Sequence, residues 1–220
     1  MPFSKSPFTT GVKGGPRGYG EVVPRDSSPA RVRDPERAEK ILTAAETLFA
    51  TRGFHEVSLA DIGREAGIVG SGVYRHFDGK VAVLSAVLDR SLSALLERAE
   101  AILRDDERPP EETLDALIGT QVDYCLDDRF AVRLYRTEVT ALPEETVRRL
   151  RRLQRRYISD WVGVLVEIRP ELEDVRARAL VQAAIGAIHS SVYFRSGLGR
   201  EAYSRMLTEV AWQVLRSPLR

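Results

Sequence analysis

Apolar residues recur at helical spacing along most of this chain, and the breaks in that spacing mark out its elements. From Pro35, a residue suited to a helix's first turn, Ala38, Ile41, Leu42, Ala45, Leu48 and Phe49 follow at i, i+3, i+4 and i+7 intervals, the signature of one buried stripe. Gly53 ends that helix, and Phe54 and Val57 lead onward. Ser58, with Asp61 three residues later, makes a capping-box-like start. Leu59, Ile62 and Ala66 then share one face, and Gly67 stands where a left-handed cap residue belongs. Ile68 plugs the turn. A second short helix from about Val69 keeps Val73 and Phe77 inside and leaves Ser71, Tyr74 and Arg75 outside. Two helices this short bury too little to stand alone, so the preceding helix has to cover them. The pattern is a helix-turn-helix, a unit that offers its second helix to the DNA major groove.

From Gly79 onward the chain is a succession of long helices. A fourth runs to about Arg104 with Val81, Leu84, Val87, Leu88, Leu92, Leu95 and Leu96 on one stripe, and Asp105 to Pro110 is a polar linker. Three later starts carry proline followed by acids: Pro110-Glu111-Glu112, Pro143-Glu144-Glu145 and Pro170-Glu171. Proline fits the first turn and carboxylates favour the positive helix end. These signals predict helices at about 111–126, 129–140, 143–168, 171–196 and 200–216, about nine in all, so the fold class is all-α. Ala179 to Phe194 is apolar or small on nearly every side and predicts a helix buried all round. The last helix has its own stripe of Met206, Leu207, Val210, Ala211, Val214 and Leu215. Two such helices, paired with their symmetry mates, would make a four-helix bundle; the core of a monomer is the other reading.

A net charge of only +1 over 220 residues means that a nucleic-acid partner has to be met by a local patch. Residues 1–33 are rich in glycine and proline. Their Lys5, Lys13, Arg17, Arg25, Arg31 and Arg33 outweigh Glu21 and Asp26. This basic N-terminal arm either touches DNA phosphates or is an ordinary solvated leader. It holds no signal-peptide core. The single cysteine, Cys125, excludes an internal disulfide and fits a reducing compartment, so a cytoplasmic location is expected. No apolar run is long enough to span a membrane.

The stretch ILTAAETLFATRGFHEVSLADIGREAGIVGSGVYRHFDGKVAVL resembles the N-terminal domain of the TetR family of bacterial transcriptional regulators. The matching features are Ile41-Leu42, Ala44-Ala45, Leu48-Phe49, Gly53-Phe54, Ser58, Ile62, Ala66-Gly67 and above all Tyr74-x-His76-Phe77 followed by Lys80. The resemblance implies a three-helix DNA-binding head over 34–80 and a larger helical body over 81–220 for effector binding and dimerisation. It implies phosphate-clamping roles for Ser58, Tyr74, His76 and Lys80, with Phe77 in the core. Ser58 would offer the free amides of a helix start, Tyr74 a hydroxyl, His76 a ring N–H and Lys80 its charge. The chain departs from the family in having Val69 where Ser or Thr is common and Gly72 where a bulkier residue is common. Gly70 and Gly72 each cost about 1 kcal/mol relative to alanine in a helix. They either let the backbone approach the groove closely or are simply tolerated. Base readout is then left mainly to Ser71 and Arg75, with DNA shape contributing.

For a ligand, the middle helices offer Tyr124, Cys125, Tyr135, Tyr157, Trp161, His189 and Tyr193 on largely apolar faces. Family members hold a small apolar or amphipathic effector in this domain. The run Arg148, Arg149, Arg151, Arg152, Arg155 and Arg156 is either a solvated face, partly paired with Glu144 and Glu145, or a greeting for a phosphate-bearing effector such as an acyl-coenzyme A. No metal-ligand spacing, phosphate loop or nucleophile elbow occurs, and no cofactor is expected; a Cys125–His189 pair would be a nucleophile candidate only if the fold joined them. The expected protein is a homodimeric, ligand-responsive repressor of an inverted-repeat operator. A TetR-like structural DNA-binding protein without an effector is the alternative, and an all-helical enzyme stands behind it.

Overall fold

Proline followed by carboxylates sets two helix starts where the sequence places them. Pro110 opens a helix with Glu111 and Glu112 in its first turn, and Pro143 precedes one that begins at Glu144. The computed structural model describes residues 35–68, 70–194 and 196–218; the N-terminal arm and Val69 lie outside the described residues. The head is α1 (Pro35–Arg52), α2 (Leu59–Glu65) and α3 (Gly70–Val73). The body is α4 (Lys80–Leu103), α5 (Pro110–Asp127), α6 (Arg129–Glu138), α7 (Glu144–Ile168), α8 (Asp174–Ser190) and α9 (Arg200–Leu215), with a 3-10 turn at Val139–Ala141 after α6. No described helix is long and apolar enough to cross a membrane.

In the head, Ile41, Ala45, Leu48 and Phe49 of α1 are buried against Phe54, Val57, Ile62 and Val73, and the Phe49 and Phe54 rings meet edge to face at 5.3 Å. Gly67 turns the chain with φ +66°, and Gly79 at φ +151° releases it into α4, two conformations that a side chain would strain. One hydrophobic core runs from Ile41 to Leu215, so head and body are not separated by a gap in the packing. Helix α4 joins them. Val83, Leu84 and Val87 near its start are buried, and Arg90 reaches across to Glu39, Glu46 and, at 3.2 Å, the Thr43 hydroxyl, all on α1.

Two elements are shorter than their apolar patterns predict, the second at both ends. α3 does not reach Phe77: it ends at Val73, and the amides of Arg75 and His76 close turns onto Gly72 and Val73 at 3.2 and 3.0 Å. α8 begins at Asp174 because the Leu172 amide bonds Arg169 O at 3.0 Å, a turn that tucks the Leu172 side chain into the core. It ends at Ser190, where the Arg129 guanidinium takes the carbonyls of Ser191 and, at 2.8 Å, Phe194. Nor is α8 buried all round. Ala177, Leu180, Val181, Ala184 and Ile188 are inside, but Gln182, Ala183, Gly186 and Ser190 face outward. Small residues lowered the polarity of that face without making it part of this chain's core.

Gly72 has an internal reason that the sequence reading did not supply. A Cβ built on it would lie 2.4 Å from Cγ2 of Ile68, the residue that plugs the turn. That atom is attached directly to Cβ and has little freedom to move away. Gly72→Ala is therefore expected to lower stability by about 1–3 kcal/mol through overpacking, against the ~1 kcal/mol gain that helix propensity alone would give. A denaturant titration of the two proteins gives the sign directly.

Candidate nucleic-acid interface and ligand cavity

Alternating use of polar side chains, some spent on the fold and others left outward, sorts the residues expected at DNA. Ser58 caps α2: its hydroxyl accepts from the Asp61 amide at 3.1 Å, and its own amide donates to Asp61 Oδ2 at 3.0 Å. The Ser58 hydroxyl also donates to that carboxylate, and these bonds hold the Asp61 carboxyl below the usual range. Lys80 likewise turns inward. Its ammonium donates to the carbonyls of Phe54 and His55 at 2.9 and 3.0 Å and lies 4.6 Å from the centre of the Phe54 ring. It ties α4 to the segment after α1, which is a different job from the free phosphate contact expected of it.

Tyr74, 59% exposed, and Arg75 project from the turn that follows α3. His76 is half-buried beside them, with a buried Nδ1 that has no hydrogen-bond partner among the described residues. Phe77 packs against the core. Gly70 opens α3 and Ser71 follows, the Ser71 side chain lying outside the described set. Among the described side chains, Tyr74 and Arg75 carry the outward surface, on a turn closed by amide bonds onto the Gly72 and Val73 carbonyls.

A cavity of about 480 Å³ lies within the body. Leu88, Leu92 and Leu95 of α4 form one wall, Gln121 and Tyr124 of α5 another. Ala131, Val132, Tyr135 and Arg136 of α6 line it, as do Leu150, Arg151, Gln154, Tyr157 and Ile158 of α7 and Ile185 and His189 of α8. Of the seven residues expected at a ligand site, Tyr124, Tyr135, Tyr157 and His189 come together on this wall. Cys125 and Trp161 do not: both are fully buried in the core behind it. Tyr193 is 55% exposed on the turn after α8, with the Arg136 guanidinium 5.7 Å from its ring centre. The sequence reading missed Leu88, Leu92 and Leu95, since a cavity wall and a packed core show the same helical stripe. It also missed Gln121, Arg136 and Gln154, which no motif marks.

Gln121 Nε2 bridges Cys125 and His189, 3.4 Å from Sγ of one and 3.2 Å from Nε2 of the other. Burial pushes the Cys125 thiol up to about 12 and the His189 imidazole down to about 4. The pair is thus a thiol and a neutral ring, the reverse of the thiolate and imidazolium that nucleophilic chemistry needs. A second polar group joins cavity to head. Ser91 Oγ stands 3.1 Å from the Tyr124 hydroxyl and donates to Asp128 Oδ2. Asp128 in turn lies against Glu46 of α1, whose carboxyl is pushed up by burial and by that neighbouring carboxylate, against the pull of Arg90.

Of the six arginines between 148 and 156, three are engaged: Arg148 with Glu144 at 2.5 Å, Arg149 with Asp89, and Arg156 with Glu100 at 2.9 Å. Arg151 faces the cavity. The run is a solvated face with three of its six members paired, and one member lines the cavity.

The family model for bacterial regulatory proteins of the tetR family matches residues 41–87, and that for the tetracyclin repressor-like C-terminal domain matches 107–196. The chain is 30% identical over 183 residues to the HTH-type transcriptional repressor KstR2 of Rhodococcus jostii, covering 82% of this chain and 78% of that protein. It is 29% identical over 175 residues to the HTH-type transcriptional activator FasR of Mycolicibacterium smegmatis, covering 79% and 73%. A solved structure of the ketosteroid transcriptional regulator KstR2 of Mycobacterium tuberculosis shares the fold, with a TM-score of 0.66 and 22% identity over 82% of this chain and 95% of that one.

The buried neutral histidine makes a pH prediction. Between about 4 and 6.5 the unfolded chain takes up a proton at His189 that the folded protein does not, so this residue's contribution to stability falls as pH drops through that window. The loss is about 1 kcal/mol per pH unit from this group. Replacing His189 with Gln should flatten that part of the profile, as measured by urea unfolding at successive pH values. Parallel profiles for the two proteins would remove His189 as the cause.

Proposed function

The chain belongs to the tetR family of bacterial regulatory proteins, and from that premise we propose that it is a homodimeric repressor released from an inverted-repeat operator by a small apolar or amphipathic effector. The observation that carries this reading is the double use of α4. Its Leu88, Leu92 and Leu95 are a wall of the cavity, while Lys80 at its start and Arg90, between Leu88 and Leu92 in sequence, tie it to the head. An occupant that changes the packing of the wall acts on the helix that positions the head. It can release DNA only by binding one arrangement better than the other. A body packed solid would have supported a DNA-binding protein without an effector. The cavity of about 480 Å³, within the range of small-molecule sites, supports the responsive reading.

Dimerisation is supported by the outward face of α8 and α9. Ala183 and Gly186 are exposed there, as are Met206 and Val210 at 39% each, and Tyr193, Phe194 and Leu198 continue the apolar character beyond α8. An apolar face of this kind fits a second copy in a four-helix bundle. Ser191, by contrast, is fully buried within the chain and belongs to its own core. The effector class we favour is a lipid-like acid or long-chain acyl-coenzyme A, with the apolar part inside and Arg151 toward the anion. The word repressor follows the Rhodococcus relative and is tested by whether ligand weakens operator binding.

Fluorescence anisotropy with a labelled operator tests each part. Tyr74→Phe and Arg75→Ala are expected to weaken operator and unrelated duplex alike if they hold phosphates, and Arg75→Ala to lower the log–log salt slope by about one. Lys80→Ala should instead lower thermal stability, since its ammonium serves two carbonyls of the fold. Gly186→Glu should yield monomers that hold half-sites poorly; a wild-type protein that sediments as a monomer at micromolar concentration would remove the dimer. Long-chain acyl-coenzyme A or a lipid-like acid should weaken operator binding where small polar metabolites do not.

A further inference from the structure

Among the described residues that α4 buries, Ser91 is the polar one, with Val87 and Leu88 a turn before it and Leu92 and Leu95 after it. An alanine would pack in the same place with no hydroxyl to serve, so what the serine adds lies in its partners. They come from outside α4. Ser91 Oγ donates to Asp128 Oδ2, at the junction of α5 and α6, and stands 3.1 Å from the hydroxyl of Tyr124, a residue of the cavity wall. A serine has one hydrogen to give. With that hydrogen on the Asp128 carboxylate, Oγ is left to accept from Tyr124, whose hydroxyl burial keeps protonated. The bonds therefore run in one direction, from Tyr124 to Ser91 to Asp128.

The run continues into the head. The Glu46 carboxyl, on α1, is within hydrogen-bond reach of the Asp128 carboxyl and is also paired with Arg90. Two carboxyl groups make such a contact favourably only with a proton between them. Burial and the charge of Asp128 push the Glu46 carboxyl up, toward holding that proton, while Arg90 pulls the other way. Neighbouring residues of α4 thus close a ring, Arg90 onto Glu46 and Ser91 onto Asp128, with Tyr124 as its one member in the cavity wall.

Resting on the reading of this cavity as an effector site, we propose that Ser91 and Glu46 are the residues through which the head senses it. The run Tyr124–Ser91–Asp128–Glu46 holds α1 in the arrangement that binds DNA, and an occupant that displaces the Tyr124 side chain breaks it. Ser91 cannot follow the tyrosine and also keep Asp128. A carboxylate that loses this donor bears harder on Glu46, and so on the helix that covers α2 and α3. The aliphatic wall of α4 yields by degrees, whereas a bonded run is either made or broken, the two-state element that coupling between sites requires.

Fluorescence anisotropy with a duplex that the full-length protein selects from random-sequence DNA tests the run first without ligand. Tyr124→Phe, Ser91→Ala and Glu46→Ala are each expected to weaken that duplex about threefold. Glu46→Gln, whose amide still donates to Asp128, should stay close to wild type; a loss equal to that of Glu46→Ala would assign the effect to Arg90 and overturn the contact with Asp128. The double variants Tyr124→Phe, Glu46→Ala and Tyr124→Phe, Ser91→Ala should be no weaker than the single ones, because one run is broken only once. Independent contributions would multiply to about ninefold and overturn the proposal, as would unchanged affinity throughout. Melting curves taken alongside separate lost binding from lost fold, and Ser91→Ala, a small change, keeps the test open where Glu46→Ala does not fold.

Dodecanoyl-coenzyme A then serves as the probe. It should weaken the duplex by a smaller factor in Ser91→Ala than in wild type, about threefold smaller, so that the two proteins converge at saturation. Release by the same factor in both overturns the run and leaves the effector reading standing. A wild type that the probe does not release, beside double variants no weaker than the single ones, overturns the lipid-like effector and leaves the run standing.

Discussion

Packing of α4 against α1 is the contact on which the rest of this molecule depends. α2 and α3 are seven and four residues long, too short to persist without cover. The cover comes from α1, and α1 is held in turn by the buried start of α4. Arg90, with side-chain exposure of 27%, fixes the angle between the two helices through three groups spread along α1. A single surface ion pair would contribute little. A partly buried guanidinium shared by two carboxylates and a hydroxyl restricts geometry, because its donors point in fixed directions. The hydrophobic stripe thus supplies the attraction, and Arg90 sets the registry.

The same helix places polar chemistry between head and cavity. Ser91 follows Arg90 in sequence and points the other way, toward Tyr124 and Asp128. Asp128 and Glu46 then meet across the junction of α1 and α5, a carboxyl pair that is costly unless a proton or Arg90 offsets the repulsion. Few groups separate the cavity wall at Tyr124 from helix α1 of the head, and Ser91 among them is buried. Displacements of the wall are felt strongly in such a setting, since hydrogen bonds there have few substitutes. His55 adds a second link, its Nε2 lying 3.1 Å from Glu138 at the end of α6, next to the cavity-lining Val139.

The outward side of α8 obeys a different constraint. Its small residues leave nothing large to bury, so within one chain they gain little from the core, while Leu180, Ala184 and Ile188 on the other side are enclosed by α7 and α9. In the proposed dimer that same smallness is what permits close approach of a second copy.

The periodicity of apolar residues was enough to determine helical class, the order of helices and the membership of most of the core, because helix formation and burial are written in local spacing. Two starts at Pro110 and Pro143 were legible for the same reason: capping is a property of adjacent residues. The cap at Ser58 and the left-handed turn at Gly67 were equally local. Tertiary structure decided what spacing cannot carry. It turned Lys80 inward onto carbonyls more than twenty residues away, and it set Ile68 against Gly72 so closely that a methyl group has no room. It divided seven equivalent-looking residues into four that line a cavity and three that do not. The side chain on a helical stripe is the same whether its neighbours fill the space in front of it or leave it open. Only the meeting of α4, α5, α6, α7 and α8 in three dimensions leaves that space, and so only the fold distinguishes a wall from a core.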